Sequence, residues 1–313
     1  MARAEPAPAG ALAAEEVSKT YGGGHTALHR VSLAVPRGAA TAILGPNGAG
    51  KTTLIKLLLG LITATGGHVS VMGEGPRAAV ARGRVGAMLQ ETTLPSLVTV
   101  SELIHYLGSL YPRPLSVGQC LAEAGIVDLG ARRVERLSGG QRRRVAFAAA
   151  IVGRPAVIFL DEPTEGMDIE ARQGFWDRLA EFRRDEATTV LFSTHDLAEA
   201  DRHADRVVLL AQGKVVADDT PAALKAQLGR RRVSFQAPAG STPADLSAAL
   251  GVEVTAGAQP GHFSAWTPDT DRVIRRLAVD SRYHDFQIVA DGLDAVFRSL
   301  VRDAESEAKG AGA

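Results

Sequence analysis

Up to about residue 228, continuous apolar runs alternate with helical apolar stripes, and that rhythm predicts an α/β core. Ala39 to Leu44, Ala156 to Leu160 and Thr188 to Phe192 are apolar almost throughout, as expected of buried parallel strands. The first run is followed by Leu54, Leu57, Leu58 and Leu61 on one helical face. Leu12 to Val17 and Val31 to Val35 flank Gly22-Gly23-Gly24 and predict an antiparallel hairpin region. Two short strands are expected at Val69 to Val71 and Arg84 to Leu89. From Leu97 to Arg136 the pattern turns helical, with Val100, Leu103, Ile104 and Leu107 on one face and Pro112 and Pro114 breaking it. This mostly helical insert, about residues 91–140, separates two parts of the core. Leu137 to Gln141 opens a helix with Val145, Ala148, Ala149 and Val152 as its apolar stripe. Val207 to Leu210 and Lys214 to Val216 predict a closing hairpin about Gln212-Gly213.

The pattern restarts after Arg230-Arg231-Arg232, which reads as a linker. Val233 to Phe235, Val252 to Val254, His262 to Trp266 and Phe286 to Val289 read as strands. Pro243 to Leu250 and Thr270 to Leu277 read as helices, the second with Val273, Ile274 and Leu277 on one face. The order β-α-β-β-α-β predicts a small ferredoxin-like α+β domain over residues 230–303. A last helix is expected from Leu293, Val296, Phe297, Leu300 and Val301. Residues 1–11 and 304–313 are expected to be disordered tails.

Composition narrows the classes. Basic and acidic residues number 35 each, so no global field draws the chain to nucleic acid or to an acidic membrane. Cys120 is the only cysteine, which excludes an internal disulfide and a cysteine metal cluster and fits a reducing cytosol. No stretch approaches the roughly 18 apolar residues of a membrane span. The Ala/Pro-rich start has Arg3 as its one basic residue and lacks the form of a signal peptide.

Candidate chemistry gathers at strand ends. The loop Gly45-Pro46-Asn47-Gly48-Ala49-Gly50-Lys51-Thr52-Thr53 lies between a buried strand and a helix. Its glycines allow positive φ and, at 45, 48 and 50, close approach of phosphate oxygens. Backbone N–H groups there form an anion nest, and the helix adds roughly half a positive charge. Lys51 can reach terminal phosphates, and the Thr52 hydroxyl can ligate Mg²⁺. The Ala156–Leu160 strand delivers Asp161 and Glu162 to its C-terminal end, where ligands bind in open α/β sheets. Asp161 suits Mg²⁺, and Glu162 suits a base that activates water. His195 ends the next strand, predicted to lie beside that of Asp161, within reach of a γ-phosphate. Gln90 ends a strand and carries an amide for Mg²⁺ or the attacking water. Tyr21, at the hairpin turn, offers a ring on which a base can stack. Ser138 is a natural N-cap, and Gly139 and Gly140 after it leave bare N–H groups as a second anion site. Arg142, Arg143 and Arg144 read as a solvated helix face.

Taken in order, GPNGAGKTT, MLQE around Gln90, LSGGQRRRV from Leu137, VIFLDEPTEGMD from Val157 and STHD from Ser193 resemble the ATP-binding subunit of an ATP-binding-cassette (ABC) transporter. The resemblance covers residues 12–228. It implies a P-loop NTPase (RecA-like) core with an antiparallel β subdomain and a helical signature subdomain. It further implies that Tyr21 stacks on adenine, that the loop 45–53 holds the phosphates of ATP, and that Thr52, Gln90 and Asp161 serve Mg²⁺. By the same resemblance Ser138, Gly139, Gly140 and Gln141 contact the γ-phosphate of ATP held by a second cassette subunit. Glu162 is then the catalytic base, Asp168 the D-loop aspartate and His195 the switch histidine. The partners implied are an integral-membrane permease and a second copy of the cassette, with no nucleic acid. The expected location is cytoplasmic, at the inner face of the membrane. The C-terminal run Gly292 to Phe297 is similar to those ending drug-export subunits, which points to an exporter. The Gly38-Ala39-Ala40 start of the strand lacks the family's usual acidic residue, and Gly166-Met167-Asp168 replaces the commoner Gly-Leu-Asp. The competing expectations are a soluble ABC-type ATPase acting on nucleic acid or the ribosome, and an ATP-binding regulator without hydrolysis.

Overall fold

A computed structural model describes residues 10–90, 94–227, 231–257, 259–290 and 297. One compact unit runs to Asp219 and a second begins at Thr220.

The first unit contains two sheets. In chain order its elements are β1 (Leu12–Thr20), β2 (Thr26–Val35), β3 (Ala40–Leu44), α1 (Lys51–Leu58), β4 (Gly66–Val71), α2 (Pro76–Ala81), β5 (Val85–Met88), α3 (Val100–Gly108) and α4 (Val117–Glu123). There follow α5 (Gly139–Ile151), β6 (Val157–Asp161), α6 (Ile169–Asp185), β7 (Thr189–Ser193), α7 (Leu197–His203), β8 (Arg206–Ala211) and β9 (Lys214–Asp219). The small sheet, order β2-β1-β4, is antiparallel, as alternation in the sequence predicts. The large sheet has the order β5-β6-β7-β3-β8-β9, parallel except for the β8–β9 hairpin. Every residue of β3, β6 and β7 is buried, which is why these strands read as largely apolar runs.

One core joins the two sheets around α1, with Leu54, Ile55, Leu57 and Leu58 packed against Leu12, Leu28, Ile43 and Phe159. Leu61, expected on the same face, lies beyond the end of α1 and is exposed, because the helix stops one turn earlier than its apolar period suggests. The expected N-terminal tail is too long by at least one residue. Ala11 is fully buried, and its N–H donates to Val35 O at 2.7 Å, extending the β1–β2 ladder. The helical insert is built from short helices with reciprocal caps: Thr99 with Glu102 on α3, and Ser116 with Gln119 on α4. Such a box satisfies two orphan N–H groups, which suits helices of only two turns.

Cys120 on α4 is buried, and its thiol donates to Ala148 O at 3.1 Å. Burial pushes that thiol up to about 12. Iodoacetamide at pH 8 is therefore expected to leave the native chain unmodified and to label it once unfolded in guanidinium. Native labelling at the rate of a free thiol would contradict the packing.

The second unit holds α8 (Pro221–Gln227), β10 (Arg231–Gln236), α9 (Pro243–Leu250), β11 (Glu253–Ala256), β12 (His262–Thr267), α10 (Thr270–Leu277) and β13 (His284–Ala290). Its sheet order, β11-β12-β10-β13 with all neighbours antiparallel, is that of a ferredoxin-like layer. Leu246, Leu250, Val273 and Leu277 from the helices meet Val233, Phe235 and Phe263 from the sheet. The division falls before α8, where the sequence pattern had placed α8 with the first domain. Of the predicted last helix only Phe297 is among the described residues, and it is helical. Residues 1–9 and 304–313 lie outside the described residues.

Candidate active site

The large sheet sets β6, β7 and β3 side by side and parallel, so their C-terminal ends open together. Glu162 and His195 follow β6 and β7, and the loop 45–50 follows β3. The register pairs Asp161 with Ser193 and Ser193 with Ile43. Backbone pairing thus brings together residues that lie far apart in the chain.

Asp161 is 2% exposed, and both of its oxygens are engaged. Oδ1 accepts from Ser193 Oγ at 2.5 Å and Oδ2 from Thr52 Oγ1 at 3.2 Å. A buried carboxylate needs such donors or a cation. Lys51 is also buried, and its ammonium donates to Gly45 O at 2.7 Å and Pro46 O at 3.3 Å. Burial holds its pKa below the ordinary lysine value, with Glu162 and Asp161 pulling it the other way. A lysine has three N–H donors, so one remains for an anion in the loop.

Glu162 has φ 51°, left-handed backbone that non-glycine residues rarely adopt. Its N–H donates to the Ser193 backbone O at 3.2 Å and to Ser193 Oγ at 3.1 Å, and its own C=O accepts from Arg143 Nη1 at 2.6 Å. Those contacts turn the side chain toward His195, whose Nδ1 lies 2.8 Å from Glu162 Oε2. Arg143 also donates to Glu165 Oε2 at 3.0 Å, and Gln90 Nε2 donates to the same oxygen at 3.3 Å. The arginine run is therefore only in part a solvated face: Arg142 is exposed, while Arg143 and Arg144 are half-buried. Arg143 grips the loop after β6, Arg144 donates to Gly125 O at 3.3 Å and Arg142 to Glu135 O at 3.3 Å. Side-chain length, invisible to charge counting, lets all three fold back onto backbone carbonyls.

The glycines of the loop divide by reason. At Gly48 a Cβ would meet nothing within 4 Å, and φ is 81°, so backbone conformation and an open cradle explain glycine there. At Gly45 a Cβ would lie 2.4 Å from Leu210 O, and at Gly50 2.7 Å from Ala27 O. At these two positions the protein's own strands exclude a side chain, a reason the sequence reading assigned to phosphate oxygens. Tyr21 is partly exposed, and its hydroxyl lies 3.3 Å from Thr53 Oγ1, which sets its ring at the loop.

Ser138 caps α5, its hydroxyl accepting from Gln141 N at 3.3 Å while its N–H donates to Gln141 Oε1 at 3.0 Å. Gly139 is exposed beside it. Asp168 caps α6 by accepting from Ala171 N at 2.7 Å, a role its sequence context had not announced. Sequence reasoning also passed over Ser193, Thr164 and Glu199. Ser193 was visible as the last residue of a buried run, but its carboxylate partner lies on another strand.

With this geometry in view, the comparisons with known proteins decide the family. A model of the ABC transporter family matches residues 28–165. The daunorubicin/doxorubicin resistance ATP-binding protein DrrA of Streptomyces peucetius is 33% identical over 94% of this chain and 93% of its own length. The chain belongs to the ABC transporter ATP-binding family. The doxorubicin resistance ATP-binding protein DrrA of Mycobacterium tuberculosis is 34% identical over 94% of each chain. The Nod factor export ATP-binding protein I of Paraburkholderia xenovorans is 36% identical over 69% of this chain and 73% of its own. Among solved structures, an ATP-binding subunit of an ABC transporter matches with a TM-score of 0.63 and 27% identity, covering 70% of this chain and 93% of that one. A dimeric, post-hydrolysis ATP-binding cassette bound to ADP and Pi matches with a TM-score of 0.61 and 27% identity, covering 67% of this chain and 98% of that one. The ABC cassette therefore binds ATP and hydrolyses it. These relatives are ATP-binding proteins named for drug resistance and Nod factor export, which sets aside the nucleic-acid reading.

Proposed function

We propose that this cassette powers export through a separate integral-membrane permease by closing head to tail with a second copy around ATP. The observation that carries the reading is the Glu162–His195 contact at 2.8 Å, set beside Lys51, Thr52 and Asp161 at the ends of adjacent strands. In this reading the amides of the loop 45–53 and Lys51 hold the phosphates, and Tyr21 supports the base. Glu162 takes the proton of the attacking water, and His195 orients Glu162 and meets the γ-phosphate.

The residues suit Mg²⁺. It favours hard oxygen ligands and is bound by one or two carboxylates together with substrate phosphates. Thr52 Oγ1 and Asp161 Oδ2, 3.2 Å apart, are such donors, and the Gln90 amide oxygen is a third. The metal would neutralise developing charge on the β- and γ-phosphates.

A second copy enters because Ser138, Gly139, Gly140 and Gln141 form a capped helix tip whose side-chain bonds close on themselves. Its free N–H groups suit the γ-phosphate of ATP held by the facing copy, with Asp168 at the seam. Among the described residues no helix is long and apolar enough to cross a membrane. Export is supported by the relatives named for drug resistance and Nod factor export. Light scattering of the Glu162→Gln chain with Mg-ATP tests the two-copy reading. The mass should double on adding ATP and return on its removal; a monomer at saturating ATP counts against it.

A further inference from the structure

Behind the Glu162–His195 pair lies a second carboxylate that the proposed chemistry leaves unused. Glu199, in the first turn of α7, is 6% exposed. Its Oε1 accepts from Thr164 Oγ1 and from Trp176 Nε1 at 3.3 Å, with Arg172 Nε 3.6 Å away. Its Oε2 accepts from Thr194 Oγ1 at 2.8 Å. Thr164 follows Glu162 by two residues, and Thr194 directly precedes His195. Both threonines are buried, at 4% and 1% exposure. Arg172 closes the ring by donating to Asp196 Oδ2 at 3.0 Å, and Asp196 follows His195.

We propose that Glu199 is a positioning residue that sets the spacing between Glu162 and His195 by tying the loops after β6 and β7 to one buried carboxylate. The inference rests on Glu162 acting as base with His195 as its partner. A carboxylate suits the place because every neighbour offers a donor and about four lone-pair sites are available to take them. Glutamine keeps the volume but turns one acceptor into a donor. Facing Trp176 Nε1 or Arg172 that donor meets another donor; facing Thr194 it forces the hydroxyl to turn and accept, and either way the charge-assisted ties to the two loops are weakened and their spacing loosens. A displacement near 1 Å between reacting groups can cost about 10²-fold in rate. Lys51, Thr52 and the loop 45–50 do not touch Glu199 among the described contacts, so ATP affinity has no reason to follow.

The test compares Glu199→Gln, Thr164→Val and Thr194→Val with the parent chain by single-turnover hydrolysis of radiolabelled ATP and by calorimetric ATP affinity. Each valine leaves the carboxylate in place; Thr164→Val removes one arm of the network, and Thr194→Val removes one arm together with the acceptor of the Asp196 N–H at 3.0 Å, so the set stays informative should Glu199→Gln fold poorly. Glu199→Gln is expected to lower the hydrolysis rate about 10-fold, and each valine variant about 3-fold, with ATP affinity within 2-fold of the parent. In a His195→Ala background the Glu199→Gln effect should shrink below 2-fold, because the spacing it maintains no longer has a partner. Rates within 2-fold of the parent, affinity that falls together with rate, or full additivity with His195→Ala would each overturn the proposal. The underlying reading is scored separately: a His195→Ala chain hydrolysing at the parent rate removes His195 from the chemistry, whatever Glu199→Gln does.

Discussion

Glu162→Gln should slow ATP hydrolysis by about 10²–10⁴-fold and leave ATP binding intact. The substitution keeps side-chain volume and removes the basic oxygen. The backbone of residue 162, at φ 51°, is held by three atoms that glutamine does not disturb: its N–H by the Ser193 carbonyl and hydroxyl oxygens, and its C=O by Arg143 Nη1. The loss is thus confined to proton transfer, and 10²–10⁴ corresponds to about 3–5.5 kcal/mol of barrier. Nothing in the phosphate loop touches the Glu162 carboxylate except through the field it exerts on Lys51. Phosphate release under saturating ATP, alongside titration calorimetry, checks both halves. Hydrolysis within 10-fold of the parent would move the base to another residue; lost binding would make Glu162 structural.

Lys51→Ala should abolish measurable ATP binding. Lys51 is 8% exposed, and its ammonium is already held against Gly45 O and Pro46 O, so its position is fixed before any ligand arrives. A triphosphate brings several negative charges into a site that also contains the Asp161 and Glu162 carboxylates. Without the lysine, those carboxylates repel the ligand with no side-chain cation in the loop to offset them. Folding should survive, since α1 is fastened by Leu54, Ile55, Leu57 and Leu58 rather than by Lys51. Titration calorimetry against circular dichroism separates the effects. Unchanged nucleotide affinity would show that the backbone amides alone bind the phosphates; a lost helical signal would show that Lys51 is part of the fold.

Lys51 and Glu162 stand out in the sequence, whereas Glu199 and Arg143 do not. Lys51 and Glu162 sit at junctions where a long apolar run gives way to glycine or to charge, a local signal carried by neighbours in the chain. Glu199 occupies a helix turn that reads like any surface turn, and only its contacts with Thr164, Trp176 and Thr194 show it to be buried. Arg143 carries the opposite error: three adjacent cations look solvated, yet one of them reaches the carbonyl of the residue proposed as base. Gly45 and Gly50 show a subtler version. Their identity was readable, but the obstacle that forbids a side chain is the carbonyl of Leu210 or Ala27, contributed by strands distant in sequence.

Periodicity and motif order by themselves determined the alternation of buried strands and helices, the order of the C-terminal β-α-β-β-α-β unit, and the strand ends where charge and glycine collect. Those features are local, since an apolar run or a cap depends on residues within a few positions. The sequence placed β7 beside β6; tertiary structure alone decided that β3 flanks β7 on its other side, that Ser193 donates to Asp161, and that His195 stands 2.8 Å from Glu162. It also decided which charges are buried. Strand order and burial arise from pairing between segments that lie from 32 residues apart, as for Asp161 and Ser193, to 151 apart, as for Gly38 and Thr189, and no short window along the chain contains both partners.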